Sequence, residues 1–232
     1  EFVEGVRGIR EACRCLAVWP QLGESLPVIA GNVSLYNESA GRAIPASAMI
    51  SSVGRLNSEG EVLRPALKQV DSVILRLGPV PSHVGGSVYA DQWGLEATVL
   101  PQFNLDEIAN LYHTVWALHQ RERLLSCQGI FKGGLWCALV KMMISPSQVG
   151  LELTMPLDDA NILPWVAEGP GFVVEVLSEQ LTQVTSVLDQ CQCAYQVIGR
   201  TLSQPVCKIN DESIPLAEIG DIDQRSLREK LR

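Results

Sequence analysis

The stretch Pro27-Val28-Ile29-Ala30-Gly31-Asn32-Val33-Ser34-Leu35-Tyr36-Asn37-Glu38-Ser39 decides how the rest of the chain is read. It opens as a short apolar run, passes Gly31, and then sets Asn32, Ser34, Tyr36 and Glu38 at alternate positions with Val33 and Leu35 between them. In an extended chain, alternation of this kind sends one row of side chains into a core and the other row out. The polar row emerging past a glycine suits phosphate, metal or solvent. A half-buried strand running into a polar loop is the plainer alternative.

The totals bound what such a strand can belong to. The 232 residues suffice for one substantial core or two small ones. With 47% apolar and 19% charged residues the composition is that of a folded globular chain. A formal charge of −8, with the basic residues scattered, argues against general binding to nucleic acid or anionic membranes. No apolar run is long enough to span a bilayer, and the start does not read as a secretory signal. Because the chain enters a helical pattern directly at Glu1, we expect a piece of a larger protein. The cysteines at 13, 15, 127, 137, 191, 193 and 207 include two C-x-C pairs but no CxxC spacing, and His83, His113 and His119 show no ligand pattern. Reduced, mostly buried thiols are expected, and no metal site.

Periodicity predicts a helix over 2–18, with Phe2, Val6, Ile9, Cys13 and Leu16 on one face. A turn at 41–45 and a strand over 48–56 follow, and the polar 57–68 segment is a candidate domain boundary. Further strands are expected at 72–77, 149–153, 172–177, 195–198 and 205–209. Helices are expected at 106–125, 134–144 and 179–188, with a charged helix or tail at 222–232. On the helix at 106–125, the pattern places Leu105, Ile108, Ala109, Tyr112, Val115, Trp116 and His119 on one side, with His113 and His119 read as packing or surface residues. Asp158 and Asp159 read as a solvated turn. The alternation predicts an α/β chain in which helices cover a mixed sheet.

Residues 31–38, Gly-Asn-Val-Ser-Leu-Tyr-Asn-Glu, resemble the motif of the second synthetase repeat of phosphoribosylformylglycinamidine (FGAM) synthase, within the aminoimidazole ribonucleotide synthetase superfamily. Further matches follow in family order: Ile44-Pro45, the Leu77-Gly78 and Val84-Gly85-Gly86-Ser87 pair, and Ala167-Glu168-Gly169-Pro170-Gly171 leading into a strand. The resemblance implies a synthetase-type (PurM-like) fold. Residues 1–57 would be the back half of an ATP-binding-type domain, 70–220 the C-terminal synthetase domain and 221–232 a charged tail. Trp19 to Leu26 reads as an insertion, and the family's Pro-Thr-Pro after Ile-Pro is missing.

The resemblance breaks where chemistry is expected. Family members carry His-Asp-x-Ser-Asp-Gly-Gly-Leu; this chain reads Gln128-Gly129-Ile130-Phe131-Lys132-Gly133-Gly134-Leu135. Gln128 does not titrate as imidazole does, Gly129 and Phe131 offer no ligand oxygen, and Lys132 puts a cation where a carboxylate stood. Lys132 binding substrate phosphate directly is the alternative.

Three functions follow as expectations. The first is a catalytically silent, FGAM synthase-like domain serving as a protein-interaction scaffold, with Trp19, Tyr89 and Trp93 as anchors and no cofactor. Gammaherpesvirus tegument proteins of this kind act on host nuclear-body proteins. That resemblance implies a partner such as the histone chaperone DAXX, in the host nucleus and virion tegument. The second is a working FGAM synthase domain in the cytoplasm, using ATP and magnesium, with Asn32, Ser34, Asn37 and Glu38 toward nucleotide or substrate. The third is a non-catalytic domain that binds ADP through the same four residues.

Overall fold

The computed structural model describes residues 2–16, 25–32, 38–44, 48–56, 62–96, 99–144, 147–158, 160 and 162–230. The chain divides into two compact units, Glu1–Asn57 and Ser58–Arg232.

In the first unit, α1 (Phe2–Cys15) ends about a turn before the predicted boundary, and none of its residues is buried. Its apolar positions Phe2, Val3 and Val6 are exposed. A two-residue ladder joins β1 (Glu38–Ser39) to β2 (Arg42–Ala43) antiparallel, turning at Ala40 and Gly41, both at positive φ. The predicted strand at 48–56 does not form: these residues have no regular secondary structure, with Met49 and Val53 almost fully exposed. A strand is defined by its hydrogen-bonded neighbour, and among the described residues of this unit the segment has none.

The second unit is a seven-stranded mixed sheet in the order β4-β6-β3-β7-β5-β8-β9. The strands are β3 (Val73–Leu77), β4 (Ser126–Gly129), β5 (Gly150–Leu153), β6 (Phe172–Val176), β7 (Tyr195–Leu202), β8 (Val206–Ile209) and β9 (Glu212–Pro215). All neighbours run antiparallel except β5 and β8, which run parallel. Helices α4 (Gly134–Met143), α5 (Leu163–Val166) and α7 (Leu216–Lys230) contribute to the core on one face, where Ile74, Val173, Ile198 and Cys207 meet Leu135, Leu139, Trp165 and Leu216. Helices α3 (Leu105–Gln120) and α6 (Leu181–Gln190) cover the other, where Leu75, Leu77, Val174 and Val176 meet Leu111, Leu118, Val184 and Leu188. The short α2 (Val88–Gln92) opens at Ser87, whose hydroxyl accepts from the Ala90 amide. Strands buried on both faces explain the near-continuous apolar runs at 73–77 and 172–176.

Several boundaries differ from the sequence expectation. Helix α3 stops at Gln120, because 126–129 is needed as the edge strand β4. Its buried face is Leu111, Thr114, Val115 and Leu118, while Tyr112 and Trp116 are exposed. Thr114 tolerates the core because its hydroxyl donates to the Asn110 carbonyl four residues back. Strand β7 continues past Ile198 to Leu202: a Cβ at Gly199 would lie 2.3 Å from the Glu152 carbonyl, so this glycine admits a neighbouring strand and does not break its own. The helix expected at 222–232 begins instead at Leu216, with Leu216 and Ile219 in the core.

At one end of the sheet Glu175, fully buried, is held without an ion-pair partner among the described residues. Its carboxylate accepts from the amides of Lys68 and Gln69 and from the hydroxyls of Ser72 and Ser126, at 2.8–3.2 Å. Thr201 extends this network through the Ser72 amide, at 2.8 Å, and the Gln69 carbonyl. Charge-assisted bonds of this kind offset the desolvation of the carboxylate. Replacing Glu175 with alanine removes the acceptor of the part-buried Lys68 and Gln69 amides and of the buried Ser126 hydroxyl, and leaves the Ser72 hydroxyl only its bonds to Gln69 and Thr201. We expect a loss of about 3 kcal/mol or more, a fall of roughly 6–12 °C in the melting midpoint by calorimetry.

Burial raises the thiol pKa of Cys127 to about 12 and those of Cys193 and Cys207 to about 11. The folded state therefore keeps these protons above pH 9, where the unfolded chain releases them. Stability is unaffected by these groups below pH 9 and declines as pH rises from about 9 to about 12. Urea titrations across that range should show the decline, and a Cys127→Ala, Cys207→Ala variant should show less of it.

Candidate functional site

The strand pairings bring four loops to the opposite end of the sheet from Glu175. Leu77 at the end of β3 pairs with Phe172 at the start of β6 and with Tyr195 at the start of β7, and Gly129 at the end of β4 pairs with Phe172. The segments 78–87, 130–133, 167–171 and 191–194 therefore emerge together. This is the end at which the sequence placed its chemistry.

The 128–134 segment has the shape of a ligand loop with unusual contents. Gln128 is half-buried and donates from Nε2 to the Gly129 carbonyl at 2.9 Å. Phe131 is 55% exposed and folds back over Gly129, where any Cβ would lie 2.2 Å from its ring. A side chain at 129 and the ring at its observed place exclude each other, so the glycine and the phenylalanine fit as a pair. Lys132 is exposed and forms no ion pair among the described residues. Gly133 and Gly134 both have positive φ, and a Cβ on Gly134 would meet the Trp165 carbonyl at 2.7 Å. The glycine pair is thus required by backbone conformation and by the approach of α5.

Gly85 and Gly86 lead into a helix that starts behind Ser87, and the first amide of that helix faces an anion. The helix is α2, and the anion belongs to the chain. Oε1 of Glu168 accepts from the Val88 amide at 2.8 Å and from the Gly133 amide, also at 2.8 Å. Ser87 donates its own amide to the Val84 carbonyl and caps α2 with its hydroxyl. The sequence matched Glu168 to a motif without giving it a role. Its signal was the carboxylate flanked by helix-breaking Gly169 and Pro170.

Arg76 was not singled out from the sequence either. It is 3% exposed, on the sheet face that carries α4, in cross-strand register with Val173 and, through β7, Gln196. Its terminal nitrogens donate to the carbonyls of Gly78 at 3.3 Å and Pro79 at 2.8 Å, while Nε has no acceptor. Burial lowers its pKa to about 10. Backbone carbonyl dipoles in place of a carboxylate leave this cation only partly compensated.

Not all of the sequence candidates come together. Asn32 and Glu38 are exposed residues of the first unit, whereas Ser34 and Asn37 lie outside the described residues. Trp19 also lies outside them. Trp93, at the end of α2, is 68% exposed; Tyr89 is half-buried, with its ring 6.3 Å from that of Trp93. Asp158 accepts from the Ala160 amide in a local turn, and Asp159 is outside the described residues. Among the described residues no group of three or more His, Cys, Asp or Glu side chains could hold a metal ion. The 128–132 loop itself does not fit magnesium: its side chains offer one amide oxygen, already beside its own donor, and a repelling ammonium.

No protein-family model matches the chain. Curated relatives do. The phosphoribosylformylglycinamidine synthase subunit PurL of Sulfurimonas denitrificans is 28% identical over 222 residues, 95% of this chain and 28% of that protein. The PurL subunits of Wolinella succinogenes and Rhodopseudomonas palustris are 30% identical over 224 residues and 32% over 215. These cover 96% and 87% of this chain and 29% and 26% of the relatives. The chain therefore spans under a third of the length of the curated relatives it matches. Among solved structures, Thermotoga maritima PurL complexed with FGAR superposes with a TM-score of 0.56 at 14% identity, covering 70% of this chain and 30% of that one. The same protein complexed with ADP gives 0.52 at 12% identity, with 70% and 27% covered. The mixed sheet with helices on both faces is a PurM-like synthetase fold, and the chain that forms it is homologous to part of PurL, the FGAM synthase subunit.

Proposed function

We propose that this chain is part of an FGAM synthase-type protein, acting in the ATP-dependent amidation of formylglycinamide ribonucleotide (FGAR), and that it serves there as scaffold and not as the source of reacting groups. Similarity to PurL along nearly the whole chain supports the synthase-type parent. The observation that carries the scaffold role is the 128–132 loop, where a primary amide, a glycine, a phenyl ring and an ammonium replace the titrating and metal-binding groups the family motif holds. General acid–base work needs a group that exchanges a proton near neutral pH, and a glutamine cannot. What the loop retains is architecture: Gly133 and Gly134 turn it into α4, and Glu168 ties it to α2. ATP, ADP and magnesium would then be held by other parts of the parent, in the cytoplasm.

The test is FGAR-, ATP- and ammonia-dependent turnover by the full-length parent protein. We expect turnover, with Gln128→Ala and Lys132→Ala each changing kcat/KM by less than about threefold. Loss of about 100-fold or more in either variant, the range expected on removing a general acid or base, would assign the loop a reacting role. A parent without turnover would remove the synthase reading.

A second reading rests on the exposure of Trp93 beside Tyr89. An exposed indole backed by a second ring is a suitable anchor for a protein partner. On this reading the domain is a non-catalytic tegument-type scaffold in the host nucleus, with a nuclear-body protein such as DAXX as partner. Trp93→Ala should then weaken binding to purified DAXX by about 30-fold, measured by interferometry; no binding by the unmodified protein removes this reading. Calorimetric titration with ADP and magnesium separates the ADP-binding alternative, which requires saturable heat from this chain.

A further inference from the structure

Two backbone amides 45 residues apart in sequence, Val88 and Gly133, converge on one oxygen of one side chain. The first opens α2 behind Gly85-Gly86-Ser87; the second sits at the left-handed turn into α4. The segment carrying Glu168 is itself pressed into place. A Cβ at Gly169 would lie 2.7 Å from the Phe103 ring and 2.8 Å from Pro81, and the Gly78 position abuts the Pro170 carbonyl and Gly171. The Glu168 backbone is therefore fixed by packing, and its side chain is half-buried with Oε1 delivered between the two loops. Besides these two, the side-chain hydrogen bonds that the 84–88 and 129–134 segments make with the rest of the chain are local among the described residues: the Ser87 hydroxyl accepts from the Ala90 amide, and Gln128 Nε2 donates to the Gly129 carbonyl.

We infer that Glu168 is a positioning residue that couples the two glycine loops, so that order in one is transmitted to the other through a single shared acceptor. Both bonds are charge-assisted and each orients the same carboxylate. When one loop opens, the carboxylate gains rotational freedom and its bond to the other amide weakens. Anything that orders either loop, such as an oxyanion-bearing ligand or a neighbouring domain of the parent, therefore reduces the ordering cost at the other. That the loops face a ligand rests on the function proposed above; the coupling does not, because it is a property of this chain alone.

Amide hydrogen exchange on the 232-residue chain, read at residue resolution, tests the coupling without any assay of turnover. Glu168→Gln keeps an acceptor oxygen at the same reach, and Glu168→Asp keeps the charge but is one methylene short of spanning both amides. We expect Glu168→Asp to accelerate exchange at Val88 and Gly133 together, by about tenfold or more. Glu168→Gln, which keeps the acceptor but loses the charge, should accelerate both together and by clearly less than Glu168→Asp, about threefold to fivefold, and the Thr201 amide, which donates to the Ser72 carbonyl far from this end, should stay unchanged in each. Acceleration at only one of the two amides, or none at either, overturns the inference. So does a Gln variant as perturbed as the Asp variant. Since neither variant removes the side chain, global unfolding is not expected, and a rise at Thr201 matching that at the loops would likewise count against a local coupling role. If the coupling holds and the parent shows no turnover, only the function proposed above fails.

Discussion

The sheet is organised around a carboxylate that is out of water and, among the described residues, has no ion-pair partner. Glu175 reaches from β6 to the lead-in segment before β3 and to the first residue of β4, so one side chain fixes three pieces of chain that the ladder alone leaves free to slide. An antiparallel pairing shifted by one residue would exchange the two faces of a strand. Here such a shift would also leave a buried charge opposite apolar side chains, a penalty larger than the loss of a few contacts. Register, then, is enforced by polarity as well as by packing. Thr201 carries the same constraint to β7 through Ser72.

This anchored end allows the other end to vary. The loops beyond Leu77, Gly129 and Phe172 do not determine how the strands pair, so their contents can change while the fold remains. The 128–132 loop illustrates this: its side chains differ at every chemically important position from the motif it resembles, whereas a side chain at Gly134 would collide with α5 and one at Gly133 with Cys137 of α4. Arg76 belongs to the same end. Its guanidinium leans on two backbone carbonyls of its own strand exit, and so helps to fix the course of the chain from Gly78 to Pro79.

The central strands were legible in the sequence because burial on both faces leaves an unbroken apolar run, as in Val73-Ile74-Leu75 and Val173-Val174. Helix α4 was legible from its glycine start and apolar spacing. The edges were not. Ser126-Cys127-Gln128-Gly129 has no β-branched residue, and Glu212–Pro215 is polar and ends in proline; edge strands tolerate both features. The face of α3 was read one position out because Tyr112 and Trp116 count as apolar by composition. The core instead took the smaller Thr114, whose hydroxyl is satisfied within the helix. For the candidate site, the sequence pointed to the 128–132 loop but not to Glu168 or Arg76. Their importance lies in which backbone atoms come to meet them, and that is settled only when segments distant in sequence are brought together.

The strand order has a consequence for how the molecule is made. Strand β3, the earliest strand of the second unit, sits between β6 and β7, which appear about a hundred residues later. On a ribosome, the apolar run at 73–77 would emerge long before either neighbour exists. Local helices can form during that interval, but the sheet cannot close until Leu202 has left the exit tunnel. The nascent chain must therefore keep this apolar segment covered by something other than its native strand partners, which makes α3, the first long helix to follow it, the natural temporary shelter for Leu75 and Leu77.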